Sequence, residues 1–241
     1  MLYSPAARVA FAHYPKTAGC SISEWFQRVF PEAAHVDPDN PHVPVRASLE
    51  LLGLVSKPIS RPRLARECLR VLRSVVPGVP APSEPCDVRI IGVVREPFEM
   101  LVSLYEYWRR YDFSEEPAVG LIRTARTGTF RQFLELAVGE RQLVNYETHF
   151  DVGGPAWAGT RLLDFQSLEP ALEMVCAEFG IEAAAGLGCL NAASRRRRDV
   201  GGYLAEAGSL VFEVRSYFRW YYEEATRIMI RGRQAPLLRA A

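Results

Sequence analysis

Lysine is almost missing from this 241-residue chain, because only Lys16 and Lys57 among its 29 basic residues are lysine. The arginine excess is typical of a GC-rich genome. A lysine kept against that bias marks a position where a compact ammonium can do what a guanidinium cannot. The 28 acidic residues leave a net charge of +1, far below that of proteins that coat nucleic acid. We therefore expect no nucleic-acid partner.

Several other features are also missing. The five cysteines form no CxxC pair and no metal-ligand spacing, so we expect a reducing compartment and no bound metal. No apolar run approaches the ~20 residues of a membrane span, and the start lacks the pattern of a signal peptide. We therefore predict a cytoplasmic protein without a membrane span and with a single domain over residues 1–241. The oligomeric state is left open.

Three strand–turn–helix units appear along the chain. The opening apolar stretch and residues 8–14 are predicted strands, and apolar residues at helical spacing follow up to Pro31. The β-branched run 88–94 is typical of a strand buried on both faces, and Pro97 suits the first turn of the helix after it. A third strand is predicted at 161–165, followed by a helix that ends at Gly180. Further helices are predicted over 61–75, near 118–125, over 130–138 and over 204–228, with loops at 31–48, 77–85 and 191–202.

This alternation of strands and helices predicts an α/β protein. Its expected architecture is a three-layer α/β/α fold with a mostly parallel central sheet.

The first unit contains the sequence HYPKTAGCS at residues 13–21, between a predicted buried strand and a helix N-terminus. Backbone N–H groups and the helix dipole attract anions at such a junction. Lys16 adds a positive charge, and Gly19 allows close approach of a ligand to the backbone. Short donors follow at Thr17, Cys20 and Ser21. The loop is not a Walker A motif, in which the lysine follows the last glycine. The alternative is an ordinary turn with a surface lysine.

The second unit places Arg95 at the end of a strand and Ser103 about two turns into the following helix. At ~1.5 Å of rise per residue, the two can lie ~10 Å apart on one side of the element. A guanidinium and a hydroxyl placed in this way can bind one phosphate together. The alternative is a solvent-facing arginine and a helix serine beside the core.

Together the two units resemble the sulfotransferases that use 3′-phosphoadenosine 5′-phosphosulfate (PAPS). PKTAGCS resembles the loop that binds the 5′-phosphosulfate, and REPFEMLVS, residues 95–103, resembles the 3′-phosphate motif. The loop is nearer the carbohydrate-type branch with its bacterial relatives. Weaker similarity covers 161–180, 190–191 and 219–223. Departures from the family pattern are Cys20 in place of a hydroxyl residue and aromatic residues at 220–222 where relatives often carry an acid.

The resemblance implies a P-loop-like sulfotransferase fold and transfer of a sulfuryl group from PAPS to a hydroxyl or amine, with PAP as product and no metal. Acceptors of this kind are glycans, lipids and small metabolites. Lys16 would neutralise charge on the bridging oxygen, while Arg95 and Ser103 would hold the 3′-phosphate. The 5′-phosphate would be bound by Lys16, Thr17, Ala18, Gly19, Cys20 and Ser21.

Relatives also use a histidine or glutamate beyond the first helix as the acceptor base. We favour His42, which lies in the stiff sequence Pro-His-Val-Pro, over His35. An unperturbed histidine titrates near ~6.5, which suits a base at neutral pH. Glu32 and Glu106 are weaker candidates. The alternative is that neither histidine has a catalytic role.

The run Arg195–Arg198 precedes the last predicted helix, where relatives carry a loop that closes over the nucleotide. Arg196 and Arg197 are therefore candidate nucleotide ligands, although charge runs are usually solvated. Two other functions are kept as alternatives, a P-loop-type nucleotide kinase and a catalytically inactive nucleotide-binding relative. The kinase is disfavoured because no GxxxxGK[ST] sequence occurs.

Overall fold

The structure, a computed structural model, describes residues 1–56, 86–110, 120–182, 187 and 200–227. Within these residues the centre is a five-stranded sheet with the order β3-β1-β2-β4-β5. The strands are β1 (Leu2–Ser4), β2 (Val9–Ala12), β3 (Ala34–His35), β4 (Arg89–Val94) and β5 (Thr160–Asp164). β2, β4 and β5 are parallel, whereas β1 pairs antiparallel with both β2 and β3. The sheet is therefore mixed, with its parallel part at the predicted strands.

The described residues contain nine α-helices. They are α1 (Gly19–Val29), α2 (Val45–Leu51), α3 (Pro97–Arg110), α4 (Gly120–Thr127), α5 (Phe130–Leu134), α6 (Tyr146–His149), α7 (Leu168–Phe179), α8 (Val200–Ala207) and α9 (Leu210–Tyr217). Short π-helical turns cover Glu135–Gly139 and Tyr221–Ala225, and 3₁₀ turns cover Trp157–Gly159 and Phe165–Ser167. In the described part of the chain, no helix is both long enough and apolar enough to cross a membrane.

The core lies on both faces of the sheet. Phe11 and Ile91 point to one face, where they pack with apolar side chains of α1 and α7. Ala10 and Ile90, their neighbours in sequence, point to the other face and pack with α3, α5 and α9. This alternation follows from the two-residue period of a strand. Helices therefore cover both faces, and the α/β prediction is confirmed for the described residues.

Some predicted elements are wrong. The predicted loop 31–48 contains β3 and the start of α2. The predicted last helix is two helices, because Gly208 takes the left-handed conformation at φ 55° between α8 and α9. Residues 200–202 belong to α8, not to the predicted loop. The predicted helix 61–75 and the loop 77–85 lie outside the described residues.

Candidate functional site

The site forms where two neighbouring parallel strands end. β2 pairs in parallel with β4, from Val9 opposite Arg89 to Ala12 opposite Gly92. The loops that follow both strands therefore open at the same edge of the sheet, which is where ligands bind in α/β folds. The loop of residues 13–18, which we call the β2 loop, follows β2, and Arg95 follows β4 directly.

The backbone of the β2 loop is held in an unusual conformation. Lys16 and Ala18 both have left-handed dihedrals, with φ of 62° and 61°. Side-chain-bearing residues rarely adopt this region, and such strain concentrates at functional sites. Ala18 is the N-cap of α1 and has no side chain that could accept from the first turn, which also lacks an acidic residue. The positive end of the α1 dipole is thus left for an anion.

Not every predicted donor of the β2 loop faces outward. Thr17 is fully buried, and its hydroxyl donates to the carbonyl of Tyr14 at 2.9 Å. The hydroxyl hydrogen is therefore used in a bond within the β2 loop, and the backbone N–H is the donor that Thr17 has left for a ligand. Cys20 is exposed and Ser21 is half-buried in the first turn of α1.

His13 packs against the first residue of α1. A Cβ placed on Gly19 would lie 1.5 Å from Nε2 of His13, so only glycine fits beneath this ring. The His13 ring also stacks on Phe11 and meets the ring of His42 edge-on at 4.4 Å between centroids. Burial, together with the neighbouring His42, lowers the pKa of His13 to about 3, so its ring is neutral at physiological pH.

The structure brings His42 to the β2 loop. Its Nδ1 lies 3.2 Å from the carbonyl oxygen of His13. A carbonyl only accepts, so Nδ1 must carry the hydrogen of the neutral ring and Nε2 must carry the lone pair. Burial lowers the pKa of His42, and the charge of Lys16 adds to this effect. His42 is therefore neutral near pH 7, with Nε2 able to accept a proton.

His35 occupies a different place. It lies on β3, opposite Leu2 in the ladder with β1. Its Nδ1 is buried without a hydrogen-bond partner among the described residues, and burial lowers its pKa. The two predicted base candidates thus differ, because His42 contacts the β2 loop and His35 belongs to the sheet.

Arg95 is a largely buried cation at the end of β4. Its guanidinium stacks on the ring of Phe165 at 4.5 Å, and one terminal nitrogen donates to Glu99 at 3.3 Å. Its Nε is buried and has no hydrogen-bond partner within the described residues. A buried donor of a charged group that lacks an acceptor is costly, so this atom marks a place for an anionic ligand.

Ser103 and Tyr107 lie one turn apart on the same side of α3. Ser103 is only 2% exposed and faces the interior. Tyr107 is half-exposed, and the ammonium of Lys16 lies over its ring at 3.9 Å from the centroid. α3 therefore reaches from Arg95 at its start to Lys16 near its end, and touches both candidate phosphate-binding groups.

Two buried tyrosines, Tyr14 and Tyr146, pack beneath the site. The hydroxyl of Tyr14 donates to the carbonyl of Val144 at 2.5 Å. The hydroxyl of Tyr146 donates to the carbonyl of Arg95 at 2.9 Å and accepts from its N–H at 3.3 Å. The two rings lie 4.6 Å apart. The stretch 144–146 thus connects the β2 loop to the end of β4.

Two further histidines lie beside the β2 loop, because His42 meets the ring of His13 and His149 packs against Tyr14. His149 is 1% exposed and packs edge-on against Tyr14, and burial lowers its pKa to about 3. The described residues nevertheless contain no group of three or more histidine, cysteine or acidic side chains arranged to hold a metal ion.

The sequence interpretation missed His13, Tyr107, Tyr146 and Phe165. Tyr107 had a readable signal, because it follows Ser103 by one helical turn. Tyr146 had none, since 51 residues separate it from the Arg95 backbone that it contacts. Arg196 and Arg197 lie outside the described residues.

No protein-family model and no curated protein matches the chain.

Proposed function

We propose that this protein is a sulfotransferase that moves a sulfuryl group from PAPS to a hydroxyl or amine acceptor, a glycan, lipid or small metabolite. One observation carries the proposal. Two neighbouring parallel strands lead to basic groups at one edge of the sheet. Lys16 lies beside the N-terminus of α1, and Arg95 has a buried Nε without a hydrogen-bond partner among the described residues. PAPS has a phosphosulfate and a separate 3′-phosphate. Lys16 supplies a cation for the first and Arg95 a cation for the second.

The β2 loop takes the reacting end of the donor in this proposal. Its backbone N–H groups and the α1 dipole bind the 5′-phosphate, and the Lys16 ammonium stabilises the charge that grows on the leaving oxygen. Transfer is an in-line displacement similar to phosphoryl transfer, in which positioning and charge stabilisation supply most of the catalysis.

Arg95 takes the 3′-phosphate. Its Nε, which has no partner in the described part of the chain, supports this role, because a phosphate oxygen would satisfy it with a charge-assisted hydrogen bond. Glu99 shares the same guanidinium, so the carboxylate and the phosphate bind different nitrogens. Ser103, the other residue of the predicted 3′-phosphate pair, is only 2% exposed, so Arg95 carries this phosphate in the proposal.

His42 is the proposed acceptor base. Its Nδ1–H is held by the His13 carbonyl, so its Nε2 takes the proton of the acceptor hydroxyl as the oxygen attacks sulfur. The lowered pKa keeps the ring unprotonated before the reaction at neutral pH.

Titration calorimetry with PAP, adenosine 5′-phosphosulfate and ATP–Mg²⁺ tests the proposal. We expect PAP to bind more tightly than ATP–Mg²⁺. Arg95→Ala should weaken PAP by roughly 10- to 150-fold, the effect of about 1.5–3 kcal/mol, and leave adenosine 5′-phosphosulfate unaffected because it lacks the 3′-phosphate. Arg161→Ala is the matched control, since Arg161 lies near the start of β5 and pairs with Glu178.

Equal affinity for PAP and ATP–Mg²⁺ would contradict the proposal and favour a kinase. Tight PAP binding without turnover of PAPS in an acceptor screen would instead indicate an inactive nucleotide-binding protein.

A further inference from the structure

The Lys16 side chain is held by a residue that the function proposed above does not use. Its ammonium lies 3.9 Å from the centre of the Tyr107 ring, on the ring face. An aromatic face attracts a cation because its π electrons carry partial negative charge. Tyr107 belongs to α3, whereas Lys16 belongs to the β2 loop, so the contact joins the two units of the site.

The two partners of this contact are fixed to different extents. Tyr107 stands on the 14-residue helix α3, which is packed into the core along its apolar face. The Lys16 backbone is held in the left-handed region, but its four-carbon side chain has several rotatable bonds. The helix thus fixes the position of the Tyr107 backbone, and the ring gives the flexible ammonium a surface to bind.

We propose that Tyr107 is a positioning residue, whose ring face holds the Lys16 ammonium at the point of sulfuryl transfer. The transfer role rests on the proposed function, but the contact itself does not. Tyr107 acts through Lys16 and not on the reacting atoms. Because the ring is uncharged, this contact holds the ammonium without cancelling its positive charge, which acts on the leaving oxygen. A carboxylate in the same place would compete with the donor for the lysine.

The near absence of lysine makes a direct test practical. Protein labelled with ¹³C at the lysine ε-carbon gives two signals, from Lys16 and Lys57, and Lys57→Arg assigns them. We expect the Lys16 ε-methylene protons to be shifted upfield by the ring current of Tyr107. Tyr107→Phe keeps the ring and should retain this shift, whereas Tyr107→Leu should abolish it. Lys57 serves as the internal reference.

The positioning role is tested by PAPS turnover, measured as PAP release. Tyr107→Leu should lower kcat by about 2- to 30-fold, the effect of losing one cation–π contact, with PAP affinity unchanged. Tyr107→Phe should stay within about twofold of wild type. Melting temperatures control for folding, and Tyr107 is 41% exposed, so leucine is tolerated there.

Different results separate the inference from the proposed function. An unshifted Lys16 signal in the wild type, or unchanged kcat in Tyr107→Leu, overturns the role of Tyr107 while PAP binding stands. Equal losses in the leucine and phenylalanine variants also overturn it, because they assign the effect to the hydroxyl. A shifted Lys16 signal in a protein that binds no PAP refutes the proposed function, and with it the role in transfer.

Discussion

Replacing Gly19 by alanine sets two effects of opposite sign against each other. Gly19 is the first residue of α1, and alanine in a helix is ordinarily more stable than glycine by roughly 0.5–1 kcal/mol. The new methyl carbon would, however, lie 1.5 Å from Nε2 of His13, whereas non-bonded carbon contacts are favourable near ~3.5–4.0 Å. The helix effect predicts stabilisation and the contact predicts destabilisation.

We expect the contact to decide the outcome. The His13 ring has little room to move, because it stacks on Phe11 with centroids 5.8 Å apart and meets His42 at 4.4 Å. Overpacking of this kind costs roughly 1–3 kcal/mol, which exceeds the gain in helix propensity. Gly19→Ala should therefore lower the free energy of unfolding by about 1–2 kcal/mol, and the melting temperature by roughly 2–8 °C.

Urea unfolding of five proteins measures this effect: wild type, Gly19→Ala, Gly139→Ala, His13→Ala and the double variant. Gly139→Ala is the control, because its nearest Cβ contact is an ordinary 3.9 Å from Glu213. The double variant His13→Ala/Gly19→Ala should be at least as stable as His13→Ala alone, since the methyl group then enters vacated space. A Gly19→Ala variant as stable as wild type would contradict this expectation, and so would single effects that simply add in the double variant.

Three further predictions concern the charged and titrating groups. Lys16→Ala should nearly abolish PAPS turnover with a smaller loss of PAP affinity, and a near-normal kcat would exclude Lys16 as the catalytic lysine. His42→Ala should lower kcat by ~10²–10⁴-fold with PAP affinity unchanged, while His35→Ala does little, and exchanged phenotypes would move the base to His35. The free energy of unfolding should fall as pH drops from about 6.5 toward 3. Buried His149, with a pKa of about 3, stays neutral over this range, whereas the same histidine binds a proton in the unfolded chain. Urea titrations at several pH values should give a slope about one proton smaller for His149→Phe, and an unchanged slope would show that His149 is not the titrating group.

The parallel strands could be predicted because burial on both faces leaves a continuous apolar run. The predicted runs 8–14, 88–94 and 161–165 contain or overlap β2, β4 and β5. The two-residue strand β3 and the four-residue helix α6 are too short to show any periodicity. Their positions depend on pairing and packing with distant residues.

The same distinction holds for the site. Lys16 and Arg95 could be selected from the sequence because Arg95 follows a recognisable strand directly and Lys16 lies in the short loop after another. The contacts that hold them come from residues far along the chain, as with Phe165 stacked on Arg95. Thr17 shows the opposite case. Its position in the sequence predicts a hydroxyl donor for a ligand, but that hydroxyl donates to a carbonyl of the loop itself.

Buried residues beneath the site hold the two candidate phosphate-binding segments, the β2 loop and Arg95, relative to each other. Tyr14 leads into the β2 loop and Tyr146 bonds to the backbone of Arg95, and their buried rings lie 4.6 Å apart. Both hydroxyls bond to main-chain atoms, so side-chain motion at the surface leaves this connection unchanged. Under the proposed function, this connection holds the backbones of the β2 loop and of Arg95 in place, which lowers the entropy cost of binding a nucleotide with two separate phosphates. PAP carries phosphate at both ends of its ribose and ATP at one end only, so we propose that the scaffold favours PAP over ATP.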